Sequence, residues 1–379
     1  MTMVTTEERQ AILEAVREFA QTELEPHAQE WDQTKHFPRD VVQRAGELGL
    51  GGIYVREESG GAGLGRTEAV AIFEALAGGD PAIAAYISIH NMVAWMIDSY
   101  GTMAQRDAWL PRLLGMHDLG GYCLTEPGVG SDAAALTTSA IRTGDEYVLT
   151  GVKQFISGGG EASVYVVMAR TGEPGARGIT AFLVEDGLPG LSFGPNEKKM
   201  GWNAQPTRQV IFDEVRVPAS AVLGEVGRGF KIAMEGLNGG RLNISACSIG
   251  GAQWAMDKAI RYVHERFTFG EPLAEKETVM FAVADMATKL TAARALVRDA
   301  AAALDAKEPD AAMQCAMAKR FATDAGFEVA NEALQLHGGY GYLQDYGIEK
   351  VVRDLRVHQI LEGTNEIMRV IIGREVLQG

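Results

Sequence analysis

The chain has 379 residues, 46% of them hydrophobic, a mean hydropathy near zero and a formal charge of −15. This is ordinary globular composition, long enough for a large core and two or three domains. The negative balance excludes a general nucleic-acid or membrane-surface binder, because phosphate-rich partners are repelled at long range, so any anionic ligand must meet local arginines or helix N-termini.

Residues 1–14 hold no basic segment followed by an apolar run, and nowhere do about 18 apolar residues run uninterrupted, so neither a leader nor a spanning helix is expected. Thr5-Thr6-Glu7-Glu8 offers a capping box for a helix whose Ile12, Val16 and Phe19 recur at i, i+4 and i+7, with Pro26 marking its end. A second helix follows Pro38, with Val41, Val42, Ala45 and Leu48 inward, and stops at Gly49. Gly60-Gly61-Ala62-Gly63-Leu64-Gly65 matches neither phosphate-loop spacing and reads as a flexible turn. Thr67 to Leu114 is helical again, broken at Gly78-Gly79-Asp80-Pro81 and at Gly101. Ala82 to Tyr100 is apolar nearly all round, which predicts a helix buried on most faces. Its Met92, Trp95 and Met96 either line a ligand pocket or pack in the core, and helical spacing favours the core.

Near Gly120 the texture changes. Thr138 to Arg142, Tyr147 to Thr150, Ser163 to Arg170, Ile179 to Glu185 and Gln209 to Val217 are short runs rich in β-branched and aromatic residues, divided by glycine turns. They predict an all-β domain of about a hundred residues. After Pro218 long helices return, over Gly229 to Phe267, Lys276 to Ala306, Asp310 to Leu336 and Thr364 to Leu377, with Gly239-Gly240 and Gly338-Gly339 as breaks or close-approach points. The expected fold class is α+β multidomain: an N-terminal α-helical domain over 1–118, a middle β-domain over 119–222 and a C-terminal four-helix bundle over 223–379. Cys123, Cys247 and Cys315 are odd in number and outside any CxxC pairing, which reads as structural thiols of a soluble, cytoplasmic protein. No metal centre is expected.

Four stretches invite chemistry. Tyr122 to Asp132 combines hydroxyls with a glycine turn whose exposed N–H groups suit a heterocycle edge or a phosphate, although a simple inter-domain turn reads the same. Phe155-Ile156-Ser157-Gly158-Gly159 sets an aromatic face beside a hydroxyl, and Leu336 to Tyr342 is a further glycine-bounded site. In His358 to Glu366, Glu362 stands directly before Gly363 and a Thr364 able to cap the next helix. By itself such a glutamate is usually a solvated carboxylate near a helix dipole.

Together with Arg266-Phe267-Thr268-Phe269-Gly270-Glu271-Pro272-Leu273, Ala284-Asp285-Met286-Ala287 and Leu361 to Glu366, these segments resemble the acyl-CoA dehydrogenase family over essentially the whole chain, in the family's order. Ala85 to Met92, Ala94 to Ser99, Gly201-Trp202-Asn203 with Gln205 to Arg208, and Gly236 to Arg241 are similar to the branch acting on isobutyryl-CoA in valine breakdown.

The resemblance implies an FAD clamped between β-domain and bundle. Tyr122, Leu124, Thr125, Gly130 and Ser131 would line the flavin, Phe155 and Ile156 would lie against it, and the Ser157 hydroxyl would approach N5. Thr364, Asn365 and Glu366 would complete that set. Arg266, Phe269, Lys276, Glu277, Gln335, Leu336, His337, Gly338 and Gly339 would reach the FAD of a neighbouring subunit, implying a homotetramer built as a dimer of dimers. Phe155 replaces the family's frequent Trp, keeping the ring without the indole N–H. Glu277 stands where glutamine is common, and a carboxylate there is an acceptor only. Ser131, Asn238, Gly239, Gly240, Arg241, Gly363 and Arg374 are implied as substrate contacts, the arginines against CoA phosphates.

The implied reaction is α,β-dehydrogenation of an acyl-CoA, with electrons passed to an electron-transfer flavoprotein. Some branches carry the base on the helix of Asn238 to Arg241. Here that position is Gly240, which leaves Glu362 as the base. Other short acyl groups, 2-methylbutyryl or butyryl, compete with isobutyryl, and pocket depth is expected from the Tyr86 to Met96 helix and the Gly338 turn. An oxidase on the same scaffold and a non-catalytic acyl-CoA binder are the remaining alternatives.

Overall fold

The structure, a computed structural model, describes residues 5–378. Helix α1 (Thr6–Phe19) begins with the expected reciprocal cap, Glu8 N donating to Thr5 Oγ1 at 3.2 Å and Thr5 N donating to the Glu8 carboxylate at 2.8 Å. Helices α2 (Ala28–Thr34) and α3 (Arg39–Glu47) follow. Val41, Val42 and Ala45 are buried as expected, but Leu48 is 47% exposed. The helix ends at Glu47, and Leu48, as its cap, leaves the helical phase that would have carried it inward.

Helices α4 (Arg66–Ala77), α5 (Pro81–Tyr100) and α6 (Met103–Leu114) break where the glycines predict. Asp80 starts α5 by accepting from Ala82 N at 2.7 Å, and α5 is buried nearly all round with Met92 and Met96 in the core.

The β-domain is one twisted sheet of β1 (Gly120–Cys123), β2 (Ser139–Thr143), β3 (Glu146–Ser157), β4 (Val164–Arg170), β5 (Ile179–Glu185), β6 (Leu191–Phe193), β7 (Thr207–Pro218) and β8 (Val222–Leu223). The strand order is β6-β7-β3-β2-β4-β5-β8, with β1 added parallel to β4. Strands β1, β6 and β8 have no counterpart in the sequence reading, since two to four residues are too few to show a period of two. Strand β3 is longer than the run Tyr147 to Thr150 suggested, because it slips register against β7 between Leu149 and Gly151 and again between Lys153 and Ile156. The second slip turns Lys153 into the interior and Phe155, at φ +60°, out to solvent with 64% exposure.

The C-terminal part comprises α7 (Gly229–Glu265), a hairpin of β9 (Phe267–Thr268) and β10 (Glu271–Pro272), α8 (Glu277–Ala306), α9 (Ala311–His337), α10 (Ile348–His358) and α11 (Asn365–Gln378). Helix α7 packs on α8, α9 and α4, while α10 and α11 pack on α9. Helix α7 runs unbroken through Gly239-Gly240, which are therefore close-approach points. Helix α10 is absent from the sequence reading, although Ile348, Val351 and Leu355 mark a helical stripe.

Charged side chains fix α10. Lys350 Nζ is 2.7 Å from Asp354 Oδ2 and 3.3 Å from Asp80 Oδ1, Asp354 accepts from Trp202 N at 2.5 Å, and Arg353 pairs with Asp32 at 2.6 Å. These contacts tie α10 to α2, to the start of α5 and to the loop before β7, and so locate the segment that follows it.

Candidate active site

Six residues link α10 to α11, and they turn on two consecutive left-handed positions, Glu362 at φ +57° and Gly363 at φ +88°. The second suits glycine. The first costs a side-chain-bearing residue about 1–2 kcal/mol and is held by its surroundings. Arg241 Nε donates to Glu362 O at 3.2 Å, Lys319 Nζ donates to Gly363 O at 2.8 Å, and Asn365 N donates to Gln359 O at 3.0 Å. Thr364 caps α11 as expected, its hydroxyl accepting from Ile367 N at 3.3 Å. No hydrogen bond from Glu362 N to any described residue is present.

This turn aims the Glu362 carboxylate at α7. A Cβ built on Gly240 would lie 2.6 Å from Oε2, so the carboxylate fills space that any other residue at 240 would occupy. Although Glu362 as a whole is half-buried, Oε2 is shut off from solvent and bonded to nothing. Burial pushes its pKa up to about 7, against the opposing pull of Arg241 and Lys319. Burial likewise brings Lys319 down to about 7, with Glu362 acting the other way. The Tyr122 hydroxyl is also buried without a partner, and its pKa is raised by burial and by the Glu362 charge.

Gly240 belongs to a bare face of α7. Gly236, Gly239, Gly240 and Asn243 fall at i, i+3, i+4 and i+7, and the missing Cβ positions are filled by Met96, Arg66 and Glu362 from three other segments. Next along, Asn243 Nδ2 donates to Tyr54 Oη at 3.2 Å and to Ser88 Oγ at 3.0 Å.

The residues expected at the flavin gather beside β3. Glu126, buried, accepts from Lys153 Nζ at 2.9 Å, from Thr137 N at 2.7 Å and from Thr138 N at 2.8 Å. Burial acts to raise its pKa, but Lys153 and the Thr138 and Thr137 hydrogen bonds outweigh it and hold the carboxyl at about 2. Lys153 also donates to Leu124 O at 3.0 Å, and Gln154 N donates to Thr125 O at 2.8 Å, so the β3 bulge anchors the segment from Tyr122 onward. Gly130 and Ser131 are exposed, Ile156 is buried, Phe155 is exposed and Ser157, two residues further along β3, is half-buried.

A second group lies at the far end of α7. Arg266 caps that helix 5.6 Å from the Tyr340 ring, Phe269 is 98% exposed on the β9–β10 turn, and Lys276 pairs with Glu271. Glu277 opens α8, exposed, and Gln335, Gly338 and Gly339 are exposed at the end of α9. Helix α7 rises about 1.5 Å per residue, so Arg266 is roughly 39 Å from Gly240 along it.

Several expected roles change. Arg241, expected against CoA phosphates, is 5% exposed, and its guanidinium is engaged by Asn238 Oδ1 at 2.8 Å and by Glu362 O, so in this structure it braces the turn. Asn365 is buried and committed to Lys319, Thr323 and Asp324, which leaves its side chain unable to reach a cofactor. His337 turns inward, stacked on Tyr262 at 4.4 Å, and Leu336 packs against the core. The Gly338 turn adjoins this tyrosine cluster. Glu366 and Arg374 are exposed on α11. Sequence reasoning missed Lys153, Lys319, Arg66, Tyr54 and Asn243. The only signal was polarity inside apolar stretches.

The acyl-CoA dehydrogenase N-terminal, middle and C-terminal domain models match residues 6–117, 121–215 and 227–377. Mitochondrial isobutyryl-CoA dehydrogenase of Bos taurus is 53% identical over 99% of this chain and 90% of its own length. Butyryl-CoA dehydrogenase from Megasphaera elsdenii superposes with a TM-score of 0.95 at 37% identity, covering 100% of both chains. A chain from a structure of the electron transferring flavoprotein of Acidaminococcus fermentans superposes with a TM-score of 0.96 at 39% identity, again over 100% of both. Among the described residues no helix is long and apolar enough to cross a membrane.

Proposed function

This chain belongs to the acyl-CoA dehydrogenase family of FAD-dependent oxidoreductases acting on CH–CH groups, and from that premise we propose that it oxidises isobutyryl-CoA to methacrylyl-CoA, a step of valine breakdown. The observation that carries the reading is the Glu362 carboxylate, buried and unbonded over Gly240. A base in that state has no hydrogen bond to break before it takes the α-proton of a thioester, and burial has raised its affinity for that proton. The free Glu362 N–H suits the thioester oxygen as charge develops on it. Arg241 and Lys319 grip the two carbonyls of the turn and keep the base in place.

The residues present fit the cofactor. Phe155 offers an exposed ring, Ser157 follows it two residues on along β3, and at Gly128 and Gly130 even the space of a Cβ is open. Tyr122, Leu124, Thr125, Gly130, Ser131, Phe155, Ile156 and Ser157 would hold the flavin. FAD supplies the acceptor for the β-hydride, so substrate loses a proton to Glu362 and a hydride to the cofactor. An electron-transfer flavoprotein would be the partner that takes the electrons from the bound cofactor. Arg266, Phe269, Lys276, Glu277, Gln335, Gly338 and Gly339 would contact the same FAD from a second copy, because roughly 39 Å of helix exceeds the reach of one dinucleotide. On this ground two copies at least would share each cofactor, and we propose that they do so within a homotetramer. The three buried, unpaired thiols fit a reducing compartment, cytoplasmic in our reading, whereas the Bos taurus relative is named mitochondrial.

Glu362→Gln should keep its FAD and its ligand affinity while losing about 10²–10⁴-fold in kcat. Near-wild-type dye-linked turnover with isobutyryl-CoA would sink the assignment. Steady-state kcat/KM for isobutyryl-, 2-methylbutyryl-, butyryl- and octanoyl-CoA tests the substrate, and the Megasphaera likeness makes butyryl-CoA the second reading.

A further inference from the structure

Arg66, the first residue of α4, is 8% exposed, and its guanidinium occupies the place of the missing Gly239 side chain, with Cζ 2.7 Å from where a Cβ would stand. Among the described residues no carboxylate lies within ion-pair distance of it. Its neighbours are aromatic, with the Tyr54 ring 3.6 Å below Cζ and the Trp95 ring at 5.5 Å. A cation–π stack returns less than the desolvation of an unpaired cation costs, so fold stability alone does not account for this arrangement.

The location does. Gly239 and Gly240 are consecutive on α7, so the guanidinium and the Glu362 carboxylate sit against the same bare helix face one residue apart. Met96 closes the neighbouring position over Gly236. Tyr54 is tied to that face through Asn243, and it lies near enough to Glu362 to feel its charge.

We propose that Arg66, pinned on Tyr54, is the end wall of the acyl pocket and the residue that keeps it short. This rests on Glu362 being the base. An acyl chain with its α-carbon at Glu362 meets the guanidinium within a few carbons. Unlike a methionine, the stacked guanidinium cannot swing aside without leaving its aromatic partner. Extra methylenes pressed against it would strip an unpaired cation of what solvation it keeps. Isobutyryl, which carries its bulk as a branch at the α-carbon, stops short of the wall.

The test is kcat/KM for isobutyryl-, butyryl-, hexanoyl- and octanoyl-CoA in wild type, Arg66→Ala and Tyr54→Leu, each as FAD-loaded protein. Arg66→Ala is expected to raise the octanoyl-to-isobutyryl ratio at least tenfold. Tyr54→Leu, which frees the guanidinium, should raise it at least threefold and serves as the measure should Arg66→Ala fail to hold FAD. A ratio within twofold of wild type in the variants, with wild type preferring isobutyryl-CoA, overturns the role of Arg66 alone. A wild type that prefers octanoyl-CoA overturns this wall and the short-chain reading together.

Discussion

Glu362 combines a left-handed backbone, a buried unbonded oxygen and a pKa near 7, and each of these has a consequence that pH can expose. As the base it must be ionised, so kcat/KM should rise with pH and reach half its plateau near pH 7. A limb centred near 4.5 would place the titrating group elsewhere. Stability runs the other way. The folded-state pKa lies above the ordinary glutamate value of 4.5, so the folded protein binds the extra proton. Between about pH 4.5 and 7 stability therefore falls as pH rises, by roughly 3 kcal/mol in full. Glu362→Gln should remove that fall, which thermal melts across the window would detect. Lys319, brought down to about 7, contributes above the window and with the opposite slope. Little of this was legible in the residues. Glu362 looked like a helix-entry carboxylate until its place among the flavin motifs and the glycine at 240 were weighed together. Lys319 and Arg66 drew no reading at all, because nothing in a local pattern tells a lysine at a helix crossing from one in water.

Among the elements, β3 shows how an irregular strand builds a site. Regular alternation would send Lys153 and Phe155 to the same face, and the register slip between Lys153 and Ile156 separates them. One side chain then anchors Glu126 and the other meets solvent. Lys153→Met would leave the Glu126 carboxylate buried without its counter-charge and should cost about 3–5 kcal/mol, with FAD lost as the Tyr122 to Ser131 segment loosens. Thermal melts and flavin absorbance read both effects, and unchanged flavin content would show the segment to be independent of the pair. The strands that follow alternation were visible in the sequence. The bulge was not, because only pairing with β7 defines it. Helix α10 escaped notice for a different reason: Lys350 and Asp354 are polar residues on its buried face, neutralising each other across one turn. Leu48 erred by phase, one residue beyond a helix that had already ended.

For the molecule as a whole, the −15 charge lies outside a centre that holds Arg66, Arg241 and Lys319, each no more than 8% exposed, around one carboxylate. The acidic surface keeps the protein dispersed, while the interior cations hold the turn and the walls around Glu362. The order of domains was readable from texture and from the six motifs. The separation of the Arg266 group from Gly240 was not, because it needs the unbroken length of α7. If each cofactor takes Glu362 from one subunit and Arg266 from another, co-expressing Glu362→Gln with Arg266→Ala should restore activity that neither variant has alone. In each mixed pair one site then receives both native residues, and failure to exceed the sum of the single variants would return both groups to one chain. The crowding at Gly240 also bears on how the base is seated. A side chain at 240 would meet the far end of Glu362, so the carboxylate would have to swing off the α7 face to make room. The glycine is thus a seat for the reacting group, and filling it moves the base without touching the residue that carries it.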